Sequence, residues 1–127
     1  MQLLLDTHAF LWWIGDDSAL GAAARAAIVE PANVVFVSAA TTWEIAVKRA
    51  LGRLDAPGDI AGWVPANGFV ELAIDIGHSV RSAELPFHHR DPFDRLLIAQ
   101  AQLEELTLVT SDPAILEYEV AALAAVA

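Results

Sequence analysis

Four carboxylates are spaced along the chain where alternating strands and helices would gather them. They are Asp6 after the run Leu3-Leu4-Leu5, Glu44 at the opening of a helix, Asp94 within Asp91-Pro92-Phe93-Asp94-Arg95, and Asp112 after Leu106–Thr110. Acidic groups brought to one sheet edge repel one another and imply a counter-ion. Hard divalent cations take carboxylate oxygens and can clamp a phosphate, so the pattern points to Mg²⁺- or Mn²⁺-dependent phosphodiester chemistry. In that chemistry Asp6 and Asp94 are expected to hold the principal ion, with Glu44 and Asp112 completing or relaying its coordination. Thr7, Ser38, Thr110 and Ser111 are hydroxyl neighbours that could orient water or substrate, and local backbone bonding is the competing role for each. Arg95, beside Asp94, has two readings: contact with a substrate phosphate, or an ion pair with a local acid.

Every carboxylate also has a purely structural explanation. Asp6 could cap the helix that follows it. Thr41-Thr42-Trp43-Glu44 fits a capping box, with Thr41 as cap and Glu44 reaching back. Asp91 is the expected cap of the next helix, with Pro92 as its first residue and Asp94 third, near the positive end of the helix dipole. Asp112-Pro113 could simply start the last helix. Joint placement, rather than any one residue, carries the metal reading. His88 and His89 are adjacent, cannot easily face one ion from regular backbone, and read as a loop near the site. His8 and His78 are isolated. Trp12, Trp13, Trp43 and Trp63 have the rings to stack bases, but their Leu, Ile and Ala surroundings read as core or interface.

The elements that must position these groups follow from pattern. Leu3–Leu5, Val34–Val37, Phe69–Ile74 and Leu106–Thr110 read as buried strands, with a final strand over Val120–Val126. Helices are expected over Thr7–Ile14, Ala19–Glu30 with a cap in Asp16-Asp17-Ser18, Thr42–Leu51, Ile60–Ala66, Gly77–Glu84, Pro92–Glu105 and Pro113–Tyr118. Strands alternating with helices predict an α/β fold, a parallel sheet built from right-handed crossovers, whose sites lie beyond the carboxyl ends of the strands.

With 127 residues, 56% of them hydrophobic, the chain suits one domain over 1–127. It has no cysteine, which removes disulfides and thiolate zinc sites and makes the cytoplasm the expected compartment. The start Met1-Gln2-Leu3-Leu4-Leu5-Asp6 lacks the basic region of a signal peptide, and no apolar run approaches the roughly 18 residues of a membrane span. The net charge of −10 is awkward for a nucleic-acid enzyme. Two divalent ions would add four charges and still leave −6. Six of the seven basic residues, however, fall near the acids: Lys48, Arg49 and Arg53 after Glu44, and Arg81, Arg90 and Arg95 around Asp94.

Leu4-Leu5-Asp6-Thr7-His8, Ser38-Ala39-Ala40-Thr41-Thr42-Trp43-Glu44, Leu85-Pro86-Phe87-His88-His89-Arg90-Asp91-Pro92-Phe93-Asp94-Arg95 and Leu108-Val109-Thr110-Ser111-Asp112, in that order, resemble the PIN-domain family and most of all its VapC toxins. The resemblance covers nearly the whole chain and is most specific around Asp94. It implies a three-layer α/β/α sandwich and a Mg²⁺- or Mn²⁺-dependent endoribonuclease acting on RNA. It also implies a homodimer and inhibition by a VapB-like antitoxin, whose Arg or Lys can enter the acidic pocket. The family's acidic residues map onto Asp6, Glu44, Asp94 and Asp112. A catalytically weak PIN-like module that binds RNA or protein is the alternative. A phosphoacceptor receiver domain fits poorly, because the only lysine, Lys48, lies on an expected helix.

Overall fold

The computed structural model describes residues 1–127. Its elements run β1 (Gln2–Leu5), α1 (Thr7–Ile14), α2 (Ala22–Val29), β2 (Val34–Ser38), α3 (Ala39–Ala50), α4 (Ile60–Ala66), β3 (Val70–Leu72), α5 (Ile76–Glu84), α6 (Pro92–Leu103), β4 (Thr107–Val109), a 3₁₀ turn (Ile115–Glu117) and β5 (Ala122–Leu123). The five strands form one sheet in the order β3-β2-β1-β4-β5, and every pairing is parallel. No helix is long and apolar enough to cross a membrane.

Alternation along the strands divides the interior into two cores. Leu3 and Leu5, with Val35, Val37 and Val109, pack on one face under Phe10 of α1, Ile28 of α2 and Val64 of α4. Leu4 and Leu108 point the other way, against Leu97 and Ile98 of α6, Ile115 and Tyr118. Helices on both faces make the three-layer α/β/α sandwich expected from the sequence. They also explain why β1 reads as an unbroken apolar run, since Leu3, Leu4 and Leu5 are all fully buried. Burial of each such side chain is worth roughly 1.5–3 kcal/mol.

Several boundaries differ from the sequence expectation, each for a local reason. The second helix starts at Ala22 with Gly21 as its cap, while the Asp17 carboxylate accepts from Ala19 N–H to make a turn instead. Gly21 cannot carry a side chain there: a Cβ would lie 2.7 Å from the Ala127 nitrogen, because the Gly21 N–H donates to Ala125 O. Helix α3 begins three residues early, at Ala39, since the Ser38 hydroxyl accepts from Ala40 N–H. Thr41 therefore caps nothing, its buried hydroxyl is unpartnered, and the expected box with Glu44 does not form. Helix α6 ends at Leu103, and Glu105 turns the chain with φ 55°. The expected strand over Val120–Val126 shrinks to Ala122–Leu123.

The sheet order sets the place of the site. From β1 the chain builds outward through β2 and β3, then returns to the other side of β1 with β4 and β5. Connections therefore diverge between β1 and β4, the switch point at which open α/β sheets leave a crevice beyond the strand ends.

Candidate active site

Asp6 leaves the end of β1 and Asp112 lies just past β4, so the two flank the switch point. Asp6 is buried and caps α1, its Oδ1 accepting from Ala9 N–H at 2.8 Å. Burial pushes its carboxyl above the ordinary range and the Asp112 charge adds to this, while the Thr110 hydroxyl, the Ala9 amide and His8 act in the opposite sense. Thr110 also accepts from Asp112 N–H at 3.2 Å, so one hydroxyl ties the two strand ends together.

Glu44 projects from the second turn of α3 and is buried. Its Oε1 accepts from the Thr7 hydroxyl at 2.6 Å and its Oε2 pairs with Lys48 Nζ at 2.5 Å. The Glu44 hydrogen bond raises the Lys48 pKa, and the charges of Asp91 and Asp94 add to it. Lys48 is thus the one ammonium in direct contact with the cluster. Asp94 occupies the first turn of α6. Asp91 caps that helix as the sequence predicts, its Oδ1 accepting from Phe93 N–H at 2.8 Å and Asp94 N–H at 3.3 Å. Burial, then the charges of Asp91, Glu44 and Asp6, push the Asp94 carboxyl from the ordinary 3.8 to about 7, with His89 opposing.

His89 is a site residue that sequence reasoning left in a nearby loop. Its Nε2 lies 2.9 Å from Asp94 Oδ2 and 3.1 Å from Asp112 Oδ2, and His89, Asp94 and Asp112 form a tight group of possible ligands. The imidazole does not suit ligation in this arrangement. Its Nδ1 accepts from Asp91 N–H at 3.2 Å, so in the neutral ring the proton sits on Nε2, which then donates to the two carboxylates instead of offering a lone pair. The two adjacent histidines do diverge, and His88 pairs with Glu117 and the Tyr118 ring. A signal for His89 existed: it lies two residues before the cap of the helix that carries Asp94.

Two expected substrate-binding residues are placed elsewhere by their bonding. Arg95 is only 6% exposed. Its Nη1 donates to Pro86 O and His89 O at 2.9 and 3.0 Å, and its Nη2 donates to Ser82 O and Leu85 O at 2.8 and 2.9 Å. Those bonds use all four terminal hydrogens, and no acid of the site pairs with the buried guanidinium. It holds the 85–91 loop, and with it His89 and Asp91. Ser38 is fully buried and donates to Gln100 Oε1. Thr7 and Thr110 are buried against Glu44 and Asp6 respectively. Ser111 stays near the surface, its Oγ accepting from Val126 N–H. With Asp6, His8, Trp12, Asp112 and Val126 it lines a recess of about 340 Å³ at the strand ends.

An all-parallel sheet with helices on both faces and carboxylates gathered at its switch point defines an open α/β domain of the acidic-site class. Within that class the chain belongs to the PIN-domain family, whose model matches residues 3–121. No curated protein sequence matches it. Among solved structures the chain is similar to VapBC2 from Rickettsia felis, bound to a DNA fragment from their promoter. That match has 14% identity and a TM-score of 0.70 over 97% of this chain and 98% of the other. It is also similar to FitAcB from Neisseria gonorrhoeae, at 16% identity and a TM-score of 0.59 over 96% of each chain. At these identities the likeness is one of fold.

Proposed function

We propose that the chain is a Mg²⁺- or Mn²⁺-dependent endoribonuclease and the toxin of a VapBC-type toxin–antitoxin pair. The observation that carries this reading is the convergence of acids at the switch point: Asp94 and Asp112 meet at one His89 nitrogen, at 2.9 and 3.1 Å, and the charges of Asp91, Glu44 and Asp6 bear on Asp94. Such crowding fits a divalent cation, and the donor set is all oxygen, as hard cations prefer. Asp6, Asp94 and Asp112 would hold the ion. Glu44, with both oxygens already engaged by Thr7 and Lys48, suits completing its coordination through water. When bound, the ion would supply Lewis-acid charge at the scissile phosphate.

The chain's own residues then hold the geometry. Thr110 fixes Asp6, Thr7 fixes Glu44, and the His89 N–H sets the spacing of Asp94 and Asp112. Lys48 offsets part of the negative field that an approaching phosphate meets. An antitoxin whose Arg or Lys enters the acidic recess would suit the same field, and the likeness to VapBC2 and FitAcB supports a partner of that kind. A homodimer accords with the family resemblance.

The test is cleavage of an RNA pool by the purified chain with Mg²⁺ or Mn²⁺, beside Asp6→Asn and Asp94→Asn. Cleavage should vanish with EDTA and fall roughly 100-fold or more in each variant. Undiminished cleavage by both variants overturns the assignment.

A further inference from the structure

Trp43 is 52% exposed and stands one residue before Glu44 on α3. Phe93, half-buried, stands one residue before Asp94 on α6. The two rings meet edge to face, with centroids 4.8 Å apart at 75°. An isolated exposed aromatic is ordinary, but this one is held in place by the helix turn that also presents Asp94. Consecutive helical residues are 1.5 Å apart along the axis and about 100° apart around it. The aromatic pair therefore bridges the two helix turns that carry Glu44 and Asp94, on a side adjacent to the carboxylates.

The cation inventory says what such a ligand must be. Of seven basic residues, Arg25 is paired with Asp16 and Lys48 with Glu44. Arg49 donates to Pro57 O, Arg81 to Gln102 and Arg95 to its four carbonyls. Arg53 and Arg90 are exposed, and only these two have no partner within the chain. A chain of net charge −10 with two free arginines cannot grip a long duplex backbone, whose recognition rests on many phosphate contacts. Base stacking needs no charge and requires an unpaired base.

We infer that Trp43, steadied by Phe93, is a stacking platform for an unpaired base of single-stranded RNA beside the carboxylate cluster. Arg90, exposed and immediately before the Asp91 cap, is the cation we assign to a flanking phosphate. The inference rests on the ribonuclease reading for the identity of its ligand. It answers how so acidic a chain takes up RNA: affinity comes from stacking and from the ion at the phosphate, and little of it comes from the protein's net charge.

The test uses a fluorescently labelled single-stranded octaribonucleotide, the same strand with one abasic position moved along it, and its duplex. Binding is measured by anisotropy in EDTA, where the RNA stays intact and the contribution of the ring is read apart from that of the ion. Trp43→Ala should weaken binding of the intact strand roughly 5- to 150-fold. Trp43→Phe should keep most of the affinity, and the duplex should bind more weakly than the strand. One abasic position should weaken binding to the Trp43 protein by a similar factor and cost nothing more in Trp43→Ala, as expected of two partners in one contact. The salt slope of log affinity should not exceed about 1.4 in magnitude for two phosphate contacts. In otherwise unaltered protein, Trp43→Ala should raise KM for cleavage and leave kcat within about twofold.

Equal affinity with and without the Trp43 ring overturns the platform, as does an abasic scan without effect. So does a Trp43→Ala variant that loses a protein partner while keeping RNA affinity, since the patch would then be a protein-docking surface. If no metal supports cleavage yet the ring and abasic effects coincide, the platform stands and the nuclease reading falls. If cleavage depends on Asp94 but is indifferent to Trp43 and to abasic positions, the reverse holds.

Discussion

Arg95→Leu should destabilise the protein far more than it slows its chemistry at temperatures where the fold holds. The guanidinium donates four hydrogen bonds, to Ser82 O, Leu85 O, Pro86 O and His89 O, all between 2.8 and 3.0 Å. Phe87 covers it, with the ring centroid 4.6 Å from Cζ. Charge-assisted bonds at the lower end, roughly 1.5 kcal/mol each, total about 6 kcal/mol. Removing the buried charge returns part of its desolvation cost, which leaves a net loss of about 3–5 kcal/mol. For a chain of this length that is a drop in Tm of roughly 10–20 °C. Arg95→Lys should recover only a fraction, because one ammonium cannot span four carbonyls arranged around a planar fork. Thermal unfolding followed by circular dichroism gives Tm, and RNA cleavage measured well below the variant's Tm gives activity. A Tm within about 3 °C of wild type together with a 100-fold loss of cleavage would refute the reasoning and return Arg95 to the substrate phosphate.

The crowded Asp94 carboxyl makes two further predictions. Its folded pKa, about 7 against an ordinary 3.8, means that the folded chain binds the extra proton between those values. Stability of the metal-free protein should therefore fall as pH rises from about 4 to 7 and level off above. Asp94→Asn should flatten this dependence and raise the Tm at pH 8, which unfolding across pH in EDTA checks; a Tm at pH 8 lower than that of wild type contradicts it. Adding Mn²⁺ at 100 times its Kd should stabilise the wild-type chain by about 2.7 kcal/mol, and Asp6→Asn should lose most of that gain. An unchanged thermal shift in this variant would remove Asp6 from the metal site.

How far the sequence reaches is clearest at β1 and α6. Leu3-Leu4-Leu5 announces a strand buried on both faces, and the sheet supplies a core on each side. Asp91-Pro92 announces a capped helix start, and Asp91 accepts from two amides there. Local chemistry decided both, so a single sequence sufficed. Glu44 stands among the acids as the sequence reading expected, but its bonding to Thr7 and Lys48 was not legible. The competition between Ser38 and Thr41 for the start of α3 was settled by Gln100, which takes the Ser38 hydroxyl from 62 residues away. The partners of His89 and Arg95 were not legible for a related reason. Whether a histidine or an arginine faces solvent, an acid or a ring of carbonyls depends on how the 85–91 loop folds against α5 and α6, and no periodicity reports that.

Arg95 and His89 together organise the site without an ion. The guanidinium fixes the loop through its own carbonyls, the loop delivers His89, and the His89 N–H reaches Asp94 and Asp112. Asp91 holds the same junction from the helix side. An acidic cluster left to itself would spread apart to lower its repulsion, so the ion would have to bear the cost of reassembling it. Here packing and hydrogen bonds on groups outside the ligand set already bear that cost. Part of it appears in the upward push on Asp94, where the charges of Asp91, Glu44 and Asp6 add to the larger effect of burial; on Asp6 burial dominates and the Asp112 charge adds least. For the proposed divalent ion that is ground-state strain of a useful sign: the more tightly the other acids crowd Asp94, the larger the share of the ion's binding energy that would come from relieving it.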